Sequence, residues 1–479
     1  MQRKHFLASA AGALLPTGAQ SRKPLNVVFF LTDDHGAWAL NYTGCREMHT
    51  PNLNRLAESG ARFTNAFAAT PVCSPSRATY MTGRLPSRHG IQDFINCRPA
   101  HSEVNDCTGP QARHYLDGQP TLSGTLAAAG YKAGLAGKWH MGGDNVMQAG
   151  FSYWATIPGG GGTYRNPAFV KNGKTVNTEG MKTDRVGDFA LEFLDQTAGQ
   201  PFFLYMPFFA PHNPYDFQAE EYRKLYKDSK FSCFPRLPDH RWLRRTVDGR
   251  PAAPVKDHNN EASMLAYSAL VSAVDHNVGR VVQHLEKLGV LDNTLIVFTA
   301  DQGHNCGHHG VWGKGNGTVP FNVFEESIRV PMIWNHRGAI KRGQVFPQFV
   351  SSYDFMPSLL DYAGLKAPAD PYRAGRSYAN LLRHKRYEER AELYFEYSYM
   401  RAVRTKRWKY IRRAGDWPSE LFDLEKDPGE ERSILDTSEG REVAAQLGKK
   451  LDAFFAARGA PPIEDWRTTT KQVLTTYSR

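Results

Sequence analysis

The segment Leu25-Asn26-Val27-Val28-Phe29-Phe30-Leu31-Thr32-Asp33-Asp34 is an almost unbroken apolar run that stops on two carboxylates. A run of this length, rich in valine and phenylalanine, reads as a strand covered on both faces, as in parallel sheets. Tyr131–Ala136 (interrupted by Lys132), Pro201–Met206 and Thr294–Thr299 have the same character. Between these runs, Leu53–Gly60, Thr121–Gly130, Asp184–Gln196 and Ala262–Leu288 carry apolar residues at three and four spacing, and the first two close on glycine. Strands alternating with helices predict an α/β fold, a mostly parallel central sheet sandwiched by helices. After about residue 365 the texture changes. Glu392–Tyr397, Ala402–Arg404, Trp408–Ile411 and Leu421–Leu424 are short strand-like runs, followed by a helical pattern near Arg441–Ala457. They predict a smaller C-terminal antiparallel sheet plus helix, with Asp370-Pro371 as the linker. The expected bodies are therefore a large α/β domain over 22–369 and an α+β subdomain over 370–479.

Composition bounds the rest. The 479 residues hold 59 Lys+Arg against 48 Asp+Glu, a net charge of +11, with 41% hydrophobic and 12% aromatic residues. That excludes a disordered chain, and the length exceeds the roughly 250–300 residues of a single core. No stretch reaches the ~18 apolar residues of a membrane span, so none is expected. Residues 1–20 combine Arg3-Lys4, the apolar Phe6–Leu15, Pro16 and small residues at Gly18-Ala19, the pattern of an export signal. Arg3-Lys4-His5-Phe6-Leu7 resembles a twin-arginine signal with lysine in place of the second arginine, which leaves Tat and Sec export both open. A periplasmic or secreted protein is expected. Six cysteines, at 45, 73, 97, 107, 233 and 306, are too scattered for a disulfide scaffold, although Cys97 and Cys107 could close a local loop. Lysine and arginine are spread along the chain without a basic block, which disfavours nucleic acid and suits an anionic substrate.

Open α/β sheets bind ligands beyond the carboxyl ends of their strands. There Leu31 leads to Thr32-Asp33-Asp34, and Phe298 leads to Thr299-Ala300-Asp301-Gln302. Three carboxylates on one edge repel each other unless a cation sits among them. Ca²⁺ suits oxygen ligands of this kind best, Mg²⁺ demands stricter geometry, and the soft ligand set of zinc is missing. The same rim receives Gly137-Lys138-Trp139-His140-Met141-Gly142 and Ala210-Pro211-His212-Asn213-Pro214. In Pro71-Val72-Cys73-Ser74-Pro75-Ser76-Arg77, Ser74 is a good N-cap and Pro75 a good first helical residue. Cys73 is thus expected at the positive end of a helix, where anions bind.

Cys73-x-Pro75-Ser76-Arg77 with Gly83-Arg84 resembles the signature of the type I sulfatases, members of the alkaline-phosphatase-like superfamily in which the cysteine is oxidised to formylglycine. Asp33-Asp34, Gly137-Lys138-Trp139-His140, His212, Asp301-Gln302-Gly303 and Gly313-Lys314 follow the family's order. Arg404–Tyr410 and the stretch from Glu420 to Glu430 resemble its C-terminal subdomain. The resemblance implies hydrolysis of sulfate monoesters, with Asp33, Asp34, Asp301 and Gln302 holding Ca²⁺ together with the modified Cys73. Gln302 departs from the family's usual Asn or His, and its longer amide makes it the least regular ligand. By the same resemblance Arg77 and Lys138 stabilise the hydrated aldehyde, His140 acts as its base, and His212 and Lys314 bind sulfate and assist the leaving alcohol. A formylglycine-generating or anaerobic sulfatase-maturating enzyme is the implied partner. His308 and His309 are expected to line the substrate pocket, and Trp312, Trp139 and Tyr215 suit the faces of a sulfated carbohydrate. The Gly303–Thr318 segment resembles that of bacterial sulfatases acting on polysaccharides.

Other readings compete with this one. His304, Cys306, His308 and His309 form a zinc-like cluster that lacks a second ligand set. Gly313-Lys314-Gly315-Asn316-Gly317 is too short for a phosphate-binding loop. A phosphomonoester or phosphodiester hydrolase of the same superfamily would carry Ser or Thr at position 73 and a second metal cage. A secreted, non-catalytic binder of sulfated glycans would keep the pocket and leave Cys73 unconverted.

Overall fold

A computed structural model of the chain describes residues 23–97, 107–108, 112–197, 199–215, 218–247, 250–251 and 253–469. The predicted export signal at 1–20 lies outside the described residues.

Six strands of the large sheet carry the argument: β1 (Asn26–Thr32), β2 (Lys132–Gly137), β3 (Tyr153–Thr156), β4 (Phe202–Pro207), β5 (Thr294–Ala300) and β6 (Met332–Asn335). Four of them were legible as apolar runs and are observed within one residue of the expected bounds. β1 lies in the middle, parallel to β5 on one side and to β4 on the other. β4 is parallel to β2, and β2 to β3. The margins turn antiparallel: β6 runs against β5, and Ala168–Lys171 against β3. Among the described residues the sheet has ten strands.

Five helices matter here: α1 (Cys73–Thr82), α2 (Lys182–Gln196), α3 (Glu261–Lys287), α4 (Ser352–Tyr362) and α5 (Ser438–Ala456). Alternate residues of a strand point to opposite faces, so β1 feeds two cores. Val27, Phe29 and Leu31 join Tyr80 and Met81 of α1 and Phe355 and Leu359 of α4. Val28 and Phe30 join Val186 and Phe193 of α2 and Val274 and Val278 of α3. Helices on both faces explain why β1 reads as continuous apolar sequence rather than as an alternating pattern.

The smaller sheet is an antiparallel series in chain order, β7 (Leu393–Tyr397), β8 (Met400–Arg404), β9 (Trp408–Arg413) and β10 (Glu420–Asp423), as expected. Leu447, Leu451 and Phe455 of α5 share its core with Val403 and Ile411. That core also contains Phe67, Val72, Phe321 and Val323, so the small sheet is packed onto the loops of the large one. Past Asp370, Tyr378, Leu381 and Leu382 still pack into the core of the large sheet. Two disulfides, Cys45–Cys233 and Cys97–Cys107, close loops around the body; the second was anticipated and the first was not. Among the described residues no helix is long and apolar enough to cross a membrane.

A buried ionic knot ties the two sheets. Lys409 of β9 has no solvent exposure; its Nζ donates to the Val323 carbonyl at 2.9 Å and pairs with Glu325 at 2.8 Å and Glu430 at 2.6 Å. Arg404 of β8 makes two further bonds to Glu325. Removing one member of such a group leaves charge buried without a partner. Lys409→Ala is therefore expected to lower the unfolding free energy by about 3–5 kcal/mol. A urea titration checks this, and a loss below about 1 kcal/mol would show that the knot is dispensable.

Candidate active site

Sheet register gathers the acids. Thr32 of β1 sits opposite Ala300 of β5, so one step further Asp33 and Asp301 emerge side by side. Asp34 turns back at φ 62°, and the hydroxyl of Tyr267 donates to its carbonyl at 3.0 Å. Lys138 leaves β2 with its amide bonded to the Pro207 carbonyl of β4 at 2.7 Å. α1 is anchored to the end of β5, since the Tyr80 hydroxyl donates to the Ala300 carbonyl at 3.0 Å and the Ser76 hydroxyl to the Asp301 carbonyl. Arg77 of α1 thereby reaches both acids. Its Nε donates to Asp301 at 2.9 Å, one terminal nitrogen pairs with Asp33 at 3.2 Å, and the other bonds the Lys138 carbonyl at 2.7 Å.

The remaining groups close around this frame. Lys138 Nζ lies 2.5 Å from Asp33, and Lys314 Nζ is 2.6 Å from Asp34 and 2.9 Å from Cys73 Sγ. His212 Nε2 is 3.6 Å from Asp34. Ligand atoms of Asp33, Asp34, Cys73 and His212 all lie within 4.8 Å of one another. The Gln302 amide nitrogen donates to Asp34 at 2.6 Å and to Asp33 at 3.2 Å, which leaves its buried Oε1 without a partner.

The electrostatics show what is still needed. Burial alone would raise Asp33, but neighbouring cations, Lys138 first, hold it well below the usual carboxylate range. Asp34 is lowered in the same way, burial being outweighed by Lys314 and His212. Asp301 goes the other way: burial, then the charge of Asp33, push it well above the usual range. Three permanent cations thus do not fully satisfy three buried carboxylates. A hard divalent ion fits this donor set, because every carboxylate is buried and a half-turn of the Gln302 amide would present its orphaned oxygen.

Several expectations need correction. Ser74 is not the N-cap; α1 begins at Cys73 with Val72 before it, and the Ser74 hydroxyl accepts the Ile95 amide at 3.0 Å. Trp139 does not face a sugar. It is fully buried, donates to the Gly142 carbonyl at 2.9 Å and packs on Trp154. His309 pairs with Glu326 at 2.5 Å and stacks on Phe324, while His308 packs on Trp38; none of these partners belongs to the carboxylate cluster. His304, named from sequence only as part of the zinc-like group, sits beside the carboxylates instead: its Nδ1 lies 3.8 Å from Asp34 and its ring stacks on Tyr267. Its place two residues after Gln302, on the same strand end, was the available signal. Cys306 is buried beside Trp312, and among the described residues no metal-ligand group forms from residues 304–309. Trp312 donates to the Tyr215 hydroxyl at 3.3 Å.

The sulfatase family profile matches residues 25–365, which contain every member of this cluster. The chain belongs to the sulfatase family. A second profile, the C-terminal region of N-sulphoglucosamine sulphohydrolase, matches residues 307–456 of this sulfatase. An N-acetylglucosamine-6-O-sulfatase of Bacteroides thetaiotaomicron is 27% identical over 522 residues, spanning 93% of this chain and 88% of its own. The N-acetylgalactosamine-6-sulfatase of Mus musculus is 32% identical, spanning 76% of this chain and 67% of its own. A solved structure in complex with its substrate, D-glucosamine-2-N,6-O-disulfate, superposes with a TM-score of 0.76 at 26% identity, covering 92% of this chain and all of that one. The protein is a sulfuric ester hydrolase.

In this sulfatase His140 is held neutral, since burial and then the Lys138 charge place it well below the usual imidazole range. Its ring lies against the tetraglycine loop at 159–162. At Gly160 the backbone has φ 63°, and an added Cβ would sit 2.5 Å from His140 Cγ. Only glycine fits this approach. Gly160→Ala is expected to displace the imidazole and to cut kcat by about 100-fold, the scale of an ångström-sized misplacement. Steady-state kinetics on a sulfate ester decide it; an Ala variant within twofold of wild type would show that the contact is immaterial.

Proposed function

We propose that this sulfatase removes sulfate from a sulfated carbohydrate outside the cytoplasm, using Cys73 as formylglycine and a Ca²⁺ ion. The observation that carries this reading is the placement of Cys73: unpaired with any other cysteine, at the start of a buried helix, 2.9 Å from Lys314 and within 4.8 Å of Asp33 and Asp34. Asp33, Asp34, Asp301 and Gln302 would hold the ion, with the modified side chain at 73 as a further ligand. When bound, Ca²⁺ lowers the pKa of an attached hydroxyl and polarises a sulfate oxygen. A hydrated aldehyde at position 73 offers one hydroxyl for attack and a second whose deprotonation releases sulfate, which a thiol cannot do.

The chain's own groups divide the remaining work. Lys138 and Arg77 brace Asp33 and Asp301 and keep positive charge beside position 73. Lys314, already touching both Asp34 and Cys73, is placed to meet a sulfate oxygen. His212 is pulled up from its ordinary value, since Asp34, Asp33 and a Cys73 hydrogen bond together outweigh burial; that shift favours the protonated ring, the form that can give a proton to the departing alkoxide. His140, held neutral, can take one.

Support for a sugar comes from relatives whose names specify hexosamine 6-sulfates, and from the substrate seen in the superposed structure. The charge of +11 and the Tyr215–Trp312 pair are consistent with an anionic, ring-containing ligand. Export is supported by the N-terminal signal pattern and by two disulfides, which persist in oxidising compartments. Conversion of Cys73 requires a maturating enzyme acting in the host.

Cys73→Ala is expected to fold, with a thermal midpoint within about 4 °C of wild type, and to lose turnover by about 10⁴-fold or more. Residual sulfate release by the variant within tenfold of a wild type whose Cys73 peptide carries the aldehyde mass would end the formylglycine reading. Stripping divalent ions with a chelator is expected to abolish activity and lower the melting temperature. Ca²⁺ at 100 times its Kd should restore about 2.7 kcal/mol of stability, and melting curves indifferent to both treatments would refute the ion site.

A further inference from the structure

We propose that Ser74 sets the tautomer of His140 through the main chain of Ile95. The inference rests on the reading of His140 as the base of this sulfatase and names the residue that makes it one. Ser74 is fully buried, directly follows Cys73 and does not cap α1. Its Oγ accepts the Ile95 amide hydrogen at 3.0 Å. On the other side of the same Cα, the Ile95 carbonyl lies 2.9 Å from His140 Nε2.

A carbonyl can only accept, so Nε2 must carry the hydrogen, and a neutral imidazole has only one. Nδ1 is left with its lone pair, buried and without a partner. The nitrogen free to take a proton is therefore selected by a carbonyl whose residue is pinned by the neighbour of the nucleophile. Without the Ser74 hydroxyl, the Ile95 amide loses its acceptor, and a buried amide reorients to find another. The Ile95 carbonyl then leaves Nε2, the hydrogen is free to move to Nδ1, and an Nδ1–H ring carries its lone pair on Nε2 instead. Ser74 is in this sense a positioning residue: it touches no reacting atom, yet nucleophile and base are set by consecutive residues of α1.

The test compares Ser74→Ala, Ser74→Cys and Ser74→Thr in the full-length mature protein. Turnover of a small aryl sulfate is counted per formylglycine-bearing molecule, from the mass of the Cys73 peptide, so that impaired maturation does not enter. Histidine ring ¹⁵N shifts report the tautomer, with His140 assigned by its loss in His140→Gln. Ser74→Ala is expected to lower kcat by about 10- to 100-fold with KM within twofold, and to move His140 Nδ1 from the unprotonated toward the protonated shift. Ser74→Thr, which keeps the hydroxyl, should restore both. Ser74→Cys, a weak acceptor, should fall between and serves if the alanine variant does not fold. An unchanged His140 tautomer in folded Ser74→Ala or Ser74→Cys overturns the proposal, as does a loss confined to KM. A wild-type protein that releases no sulfate from any ester would defeat the functional reading instead, and the NMR comparison would still decide the role of Ser74.

Discussion

Parallel pairing in register brings Asp33 and Asp301 out of the sheet next to each other, with Asp34 one residue on, and all three are buried. Carboxylates so placed repel one another strongly in a medium that screens poorly. Every other feature of the site answers that constraint. Arg77 spans Asp33 and Asp301 with one guanidinium, a fork geometry that lysine does not offer. Lys138 shares the Oδ2 of Asp33 with Arg77, and Lys314 takes the Oδ1 of Asp34. The cations therefore serve two ends: they favour the ionised forms of Asp33 and Asp34, and they surround the thiol position with the positive charge that an attacking or departing oxyanion needs.

The balance is incomplete. Asp301 still rises well above the carboxylate range despite its contact with Arg77, and Gln302 turns its donating nitrogen toward Asp33 and Asp34 while burying an unused oxygen. Both features fit the ion site proposed above, in which Gln302 is the fourth ligand. Gln302 has one more methylene than asparagine, and its amide reaches both Asp33 and Asp34.

Most of the frame was legible in the amino-acid sequence because buried parallel strands announce themselves as short apolar runs, and the chemistry sits where those runs stop. Val27–Leu31 and its three counterparts sufficed to place Asp33, Asp34, Asp301, Lys138 and His212 on one rim. What escaped is what depends on side-chain direction. Trp139 follows β2 as its neighbours Lys138 and His140 do, yet its ring turns into the core against Trp154. His304, His308 and His309 are close in sequence, but the turn at Gly307 and the positive φ of His309 send them to different partners: Asp34, Trp38 and Glu326 respectively. Ser74 has the composition of a cap and the position of a cap, but its hydroxyl faces Ile95, a contact twenty-one residues away that no local rule anticipates. The Cys45–Cys233 bond, spanning 188 residues, is invisible for the same reason.

The small sheet belongs to the same argument. It carries none of the reacting groups, yet it holds the segment that follows Lys314 from two sides. Lys409 grips the Val323 carbonyl, Arg413 grips the Phe321 carbonyl, and the Tyr399 hydroxyl accepts the Phe321 amide. From that segment the Asn322 amide bonds the Gly315 carbonyl, and the Gly315 amide in turn bonds the carbonyl of Pro71, two residues before Cys73. Lys314 and Cys73 are therefore set against each other by one continuous run of main-chain bonds whose outer end is fastened to β9. Val72 closes the circuit by packing in the core of the small sheet itself. A thiol on a helix start and a cation on a glycine-flanked loop are each free to drift by an ångström; fastening both to one antiparallel sheet is what keeps Cys73 and Lys314 at 2.9 Å.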